Sequence, residues 1–396
     1  MILYMGITAL TIALAYAVAG KSAFVSAGKF YGAGAFARAG KNRAGRAFMS
    51  RRRAFDLVCL AALFLILTGL AALRVDVGND YGKYVETFHE IYAGTDQAYV
   101  VTEPGFNFAV KAIYTLCGGE NYLLAFALFG AATAFVFLKA MYDQSAWFAG
   151  SFALFMLLGL YFRTFTTVRY YFALALALYG LRYAYARQYG KFILVVLFAA
   201  LFHKSVLVVL PLYFLASLPW KRWMVIAGCV LAAGVFLFQE QILNLALTLY
   251  PTYQDTVYLT SDVGILANAS GILRCLAVFL LAFFCRKEGF PEGGQNRFFL
   301  KLNLFGLLLY TCGSFLPLVS RLSYYVITPQ ILLVPGLIVS LQNPTKKRLV
   351  LGAVAFFALI YFAWFLYTAP GGGIRVLPYQ SWVFTKKVWI NGADFF

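Results

Sequence analysis

Charge is scarce in this sequence, and negative charge is scarcer still. Of its 396 residues only 12% are charged, with 15 acids against 33 lysines and arginines, where a soluble domain carries about 25%. No polar stretch is long enough to fold as a separate soluble domain, so 1–396 reads as one membrane-embedded domain. Histidine is nearly absent, and His89 and His203 stand far apart. The six cysteines (Cys59, Cys117, Cys229, Cys275, Cys285 and Cys312) lie nearly all within apolar runs, with no CxxC pair and no Cys/His ligand spacing. That pattern supports neither a disulfide framework nor a metal site. No DxD-like pair of acids stands ready for a divalent ion, and no metal or cofactor is expected.

What abounds is apolar and aromatic. The chain is 62% hydrophobic, with 40 Phe and 27 Tyr and a mean hydropathy of +0.78, as suits a lipid-facing surface with aromatic belts. Apolar segments fall near 2–19, 54–73, 121–141, 147–162, 169–187, 223–243, 266–285, 298–318, 322–341 and 349–368. A crossing takes about 20 residues, which predicts an all-α polytopic membrane protein of about 10–12 transmembrane helices. The run at 147–162 is short, and 106–118 suits a half-helix or an interfacial one. The net charge of +18 is parcelled between these runs rather than gathered on a soluble module. It reads as cytoplasmic loops, with no nucleic-acid partner.

Loop charge orients the chain. Residues 1–20 have no positive n-region before their apolar run, so they read as an uncleaved first helix with its N-terminus outside. The segment 20–53 carries Lys21, Lys29, Arg38, Lys41, Arg43, Arg46 and Arg51 to Arg53 with no acid, and is expected in the cytoplasm. The stretch 74–120 then lies outside; its first part holds Asp76, Asp80, Glu86, Glu90, Asp96 and Glu103 against Arg74 and Lys83. Residues 192–217 set the orientation of the rest of the chain. As one straight helix they would invert every later basic loop. As two half-helices meeting at His203-Lys204-Ser205 they keep Lys221-Arg222, Arg286-Lys287 and Lys346 to Arg348 inside and the acidic loop 244–265 outside. The broken hairpin is the better reading, and non-helical backbone at depth marks a lined cavity. The tail 369–396 falls outside.

Several polar residues thereby share one side. Arg74, Arg163 and Arg375 sit where a guanidinium can snorkel to headgroups. Arg169 and Arg274 are harder to explain that way, since intramembrane arginine is costly and defaults to function. With Arg163 and Arg321 they suit an anion, because guanidinium forks match phosphate oxygens. Asp80 reads as a solvated loop acid or a proton acceptor. Glu103 before Pro104 could simply favour a helix N-terminus. His203 is a packed histidine or a site at the helix break. Arginines holding a leaving diphosphate, with a carboxylate or histidine to deprotonate a hydroxyl, describe group transfer from a lipid diphosphate.

The order of motifs resembles the EpsG family of Wzy-like bacterial polysaccharide polymerases. The similar pieces are Arg74 with Val77-Gly78-Asn79-Asp80-Tyr81 and Tyr84, Glu103-Pro104-Gly105-Phe106, Arg169-Tyr170-Tyr171-Phe172-Ala173-Leu174-Ala175, Leu201-Phe202-His203-Lys204-Ser205, Arg321 with Ser323-Tyr324-Tyr325, and Leu377-Pro378-Tyr379. Departures are Tyr170 where the family often has Gln, and Asn79 where Thr is usual. The resemblance implies a lipid-dependent glycosyltransferase architecture (GT-C-like, Wzy-type) in the bacterial inner membrane. It implies joining of oligosaccharide repeat units carried on undecaprenyl diphosphate at the outer face, for capsule, exopolysaccharide or O-antigen. Membrane lipids, and a chain-length regulator and flippase of the same pathway, are the partners it suggests. Asp80, Glu103 and His203 carry over as acid/base candidates, and Arg169, Arg321 and Arg74 as diphosphate contacts, joined by Arg163 and Arg274. Tyr81, Tyr84, Lys204, Tyr325 and Tyr379 are candidates for the acceptor or glycan. Rival readings are a ligase of lipid-linked glycans, a flippase or transporter, and a membrane acyltransferase resting on His203. The transporter reading lacks an internal repeat and a second broken helix.

Overall fold

A computed structural model describes residues 1–18, 51–94, 102–249, 268–290, 294–316, 319–371 and 373–384. Most of the basic segment 20–53, Asp96, the acidic loop from 250 and the tail beyond 384 lie outside the described residues. Among the described residues every regular element is a helix. In order they are α1 (Ile2–Ala17), α2 (Arg51–Leu73), α3 (Tyr81–Ala93), α4 (Pro104–Leu116), α5 (Tyr122–Gln144), α6 (Phe148–Leu157), α7 (Leu160–Arg163), α8 (Val168–Tyr185) and α9 (Tyr189–Ala200). A 3₁₀ turn (Lys204–Val208) leads to α10 (Val209–Ser217), α11 (Arg222–Leu237), α12 (Gln239–Leu249), α13 (Ala269–Phe284), α14 (Asn296–Cys312), α15 (Val319–Ile327), α16 (Gln330–Ser340) and α17 (Pro344–Thr368).

Among the described residues, four stretches are long and apolar enough to cross a membrane: Ala54–Leu73 of α2, α5, Val319–Ser340 of α15 and α16, and α17. The α11–α12 pair, bent by 79°, would make a fifth. The remaining apolar helices are shorter, so the sequence segments are found in place but not all at spanning length. One cause is visible in the second half of the 147–162 run. Gly159 adopts a φ of +68° between α6 and α7 and ends the first helix there.

The surface is inverted relative to a soluble protein. α11 buries no residue, and α17 presents Phe356, Phe357, Leu359, Ile360 and Trp364 outward. Apolar exposure on this scale suits hydrocarbon, not water. The interior is held by α8 and α16, which are buried nearly all round, as core helices of a bundle are.

The chain reverses at the expected hairpin. The Tyr189 hydroxyl at the start of α9 lies 2.9 Å from the Ser217 hydroxyl at the end of α10. Phe192 stacks on Tyr213 and Tyr189 meets Phe214 edge-on. Entry and exit are therefore side by side. Twelve residues of α9 rise ~18 Å, short of a ~30 Å hydrocarbon layer, so the pair enters and returns. At its base the Lys301 ammonium donates to the carbonyls of Ala216 and Leu218, where the negative end of the α10 dipole favours a cation.

Two further contacts set up the site. The first turn of α4 docks on the hairpin apex, where the Gly105 and Phe106 amides donate to the Leu201 carbonyl at 2.9 and 3.1 Å. A Cβ on Gly105 would lie 2.6 Å from the Leu201 Cβ, so only glycine allows this approach. The tail, in turn, runs antiparallel to the segment after α2. Amides of Val75, Gly78 and Asn79 donate to the carbonyls of Gln380, Arg375 and Ile374, and the Trp382 amide to Leu73. The Tyr379 hydroxyl and the Trp382 indole satisfy the Leu70 and Ala72 carbonyls, which the end of α2 leaves without helical partners.

Gly105→Ala is expected to strain the α4 dock by about 1–3 kcal/mol, as overpacking does. Thermal unfolding in detergent would report it as a melting temperature several degrees below wild type.

Candidate functional site

A cleft of about 180 Å³ opens where three parts of the chain meet. The α7–α8 corner contributes Arg163, Thr166, Thr167, Tyr170 and Tyr171, and α15 contributes Ser320, Arg321 and Tyr324. Asn79 and the tail residues Gly373 and Ile374 close it. Local sequence explains the convergence. Gly78, at a φ of +107°, passes so close to the α7–α8 corner that a Cβ would sit 2.2 Å from the Phe165 carbonyl oxygen. No other residue could bring Asn79 and Asp80 to that wall.

Arg163 and Arg321 share the cleft, and neither forms an ion pair with a carboxylate among the described residues. Arg163 lies 5.4 Å from the centre of the Phe365 ring and keeps a buried Nε without a hydrogen-bond partner among the described residues. Two guanidiniums with no acid between them, one largely buried, leave a charge that an anion would balance.

Asp80 stands one residue behind the wall as the N-cap of α3. Its Oδ2 accepts from the Thr167 hydroxyl at 2.9 Å, while Oδ1 accepts from no donor among the described residues. Glu103 is differently placed. Its Oε2 takes the Arg169 Nη1 at 2.5 Å and its Oε1 the Lys204 amide at 3.0 Å. The pair is well buried, with 13% and 11% of its side chains exposed. Arg169 also lies 5.2 Å over the Phe106 ring, and its amide donates to the Tyr84 hydroxyl. Glu103 and Arg169 thus fasten α4 to α8 and to the hairpin apex. His203 caps the 3₁₀ turn, with Nδ1 receiving the Ser205 amide at 3.4 Å and lying 3.0 Å from the Ser205 hydroxyl. Its ring meets Tyr170 edge-on at 5.5 Å, and Tyr170 in turn donates to the Arg321 carbonyl.

Other candidates stand apart from the cleft. Arg74 is 2% exposed, between the Phe126 and Phe165 rings at 5.1 and 4.7 Å, with Nε and Nη1 lacking hydrogen-bond partners among the described residues. Burial pulls its pKa down to about 10, leaving it a cation at neutral pH that packs against the end of α2. Arg274 donates to Gln330 Oε1 at 2.6 Å in a network running through Asn303 to the Cys275 carbonyl, which ties α13, α14 and α16. Tyr81 stacks on Phe126, Tyr325 is fully buried, and the Tyr379 hydroxyl holds the end of α2. Lys204 is exposed at the apex. The aromatic wall of the cleft is instead Tyr170, Tyr171 and Tyr324, with Thr167 beside Asp80. The three tyrosines are members of the Arg169–Ala175 and Arg321–Tyr325 motifs, and that membership is the signal that pointed to them.

Residues 57–381 match the family described as the EpsG family. No curated protein and no solved structure matches the chain.

Removing one member of the Glu103–Arg169 pair strands the other in a buried place. Glu103→Ala and Arg169→Ala are each expected to lower the melting temperature, and the double variant by less than the sum. A strictly additive double variant would show that the pair does not hold the dock.

Proposed function

The chain belongs to the EpsG family, and on that footing we propose that it is a polysaccharide polymerase joining lipid-diphosphate-linked oligosaccharide repeat units. The membership supports a polymerase-type glycosyltransferase in a multi-pass membrane protein. The observation that carries the finer reading is the pair of arginines, Arg163 and Arg321, sharing a tyrosine-walled cleft without a carboxylate partner among the described residues. Guanidinium forks suit diphosphate oxygens, and the tyrosines suit the flat faces of a sugar.

The transfer uses these groups in turn. Asp80 Oδ1 takes the proton of the acceptor hydroxyl, whose oxygen forms a bond to the anomeric carbon of the donor glycan. The bond from that carbon to the diphosphate oxygen breaks, and the electron pair leaves with the diphosphate. Arg163 and Arg321 stabilise the charge arriving there. Glu103 is a poor base by comparison, since both its oxygens already accept from fixed donors.

The lipid carrier is taken to be undecaprenyl diphosphate, and the cleft to face outward from a bacterial inner membrane. Arg187 and Arg297 gather near Lys301 at the hairpin base, whereas Asp80 bonds Thr167 at the cleft and Asp76 pairs with Arg375 beside it. That division of charge fits the orientation.

Purified protein in nanodiscs, given the lipid-linked repeat unit of its source, is expected to yield a ladder of multiples on a gel. Asp80→Asn should slow the ladder by about 10²–10⁴-fold, the usual worth of a general base. Arg163→Ala and Arg321→Ala should weaken use of the lipid-linked donor. A wild-type protein that binds its substrate and makes no ladder would reject the reading. Orientation has its own probe in Cys117, exposed at the end of α4. An impermeant maleimide should label it on intact cells, and labelling only after permeabilisation would reverse the assigned sides.

A further inference from the structure

His203 is the one imidazole near the cleft, and sequence alone leaves it as a rival base. Its hydrogen bonds say otherwise. A backbone amide can only donate, and the Ser205 amide points at Nδ1 from 3.4 Å. The Ser205 hydroxyl stands 3.0 Å from the same nitrogen and is itself 3.0 Å from the Tyr325 hydroxyl. Tyr325 is fixed in turn, since its carbonyl accepts from the buried Tyr213 hydroxyl at 2.6 Å. Nδ1 is therefore the lone-pair nitrogen, and the neutral ring carries its proton on Nε2. A second proton at Nδ1 would meet the Ser205 N–H head on.

The charges that act on the ring are chiefly positive. Arg169, Arg321 and Lys204 act on it, and the nearby carboxylate, Glu103, is already shared between Arg169 and the Lys204 amide. Tyr170, whose ring lies edge-on to His203, lines the cleft, as does Arg321. An N–H in a cationic setting beside an anion-binding cleft suits a phosphate oxygen.

We propose that His203 is a fixed hydrogen-bond donor, through Nε2–H, to a phosphate oxygen of the bound lipid diphosphate, and that Ser205 and Tyr325 are positioning residues that set its tautomer. The proposal rests on the polymerase reading for the identity of the lipid, and it relieves His203 of the role of proton acceptor. The hairpin break then has a purpose, because it sets a neutral donor against Tyr170, behind the cleft lining, without adding a group that competes with Asp80 for the proton.

The test uses full-length protein in nanodiscs and a fluorescent polyprenyl diphosphate carrying no sugar, so that binding is read apart from polymerisation. His203→Ala should weaken binding by about 10–100-fold, the range of a hydrogen bond to a charged group. His203→Gln places an amide N–H near the position of Nε2 and should recover most of that loss, together with turnover. Ser205→Ala should weaken binding to an intermediate degree, and Ser205→Thr should restore it. The proposal is overturned if His203→Gln binds the probe like wild type yet is as inactive as His203→Ala, with the acidic limb of the kcat/KM profile lost in both. It is also overturned if His203→Ala binds the probe unchanged. Failure of the wild type to polymerise while these binding differences persist would strike the polymerase reading and leave the donor role standing.

Discussion

A helix that stops inside an apolar layer leaves carbonyls and amides that water cannot reach, and each needs a partner from the protein. The hairpin of α9 and α10 creates that need at Leu201 to Ser205, and the first turn of α4 meets it. Two amides of α4 take the Leu201 carbonyl, and Glu103 takes the Lys204 amide. The same carboxylate holds Arg169 on α8. One short polar junction thus joins the amphipathic segment after α3, the buried central helix and the re-entrant hairpin. The walls of the cleft hang from it, since Arg163, Tyr170 and Tyr171 flank Arg169 on the same corner.

The titratable groups nearby differ in what they have left to offer. Glu103 has both oxygens engaged, His203 has Nδ1 engaged, and Asp80 keeps one oxygen without a partner among the described residues. Asp80 stands behind Asn79 and bonds Thr167 on the α7–α8 corner that also bears Arg163, while Arg321 reaches the cleft from α15.

Much of this was legible in the sequence. The helices follow the apolar runs, and the polar His203-Lys204-Ser205 interruption in a run too awkward for the charge pattern foretold the hairpin. Glu103-Pro104-Gly105-Phe106 was readable as the start of a helix, though not what it docks on, because that contact spans about a hundred residues of chain. Arg74 and Arg274 looked like Arg163 and Arg321 in sequence; what separates them is whether aromatic rings and an amide network surround the guanidinium, or a cleft does. Tyr170, Tyr171 and Tyr324 lie inside the quoted motifs but were not singled out as binding candidates, since tyrosine is common throughout the chain and its packing and binding roles use the same ring. The pairing of the tail with 73–79 carries no pattern of its own, being made almost wholly of backbone groups.

That pairing bears on how the protein comes into being. Gly373 and Ile374 complete the cleft, yet they are made long after the helices whose residues form its other walls. The cleft is therefore complete only when a segment made after every helix that lines it has folded back on residues 73–79, where the same stretch of tail also takes up the carbonyls at the end of α2.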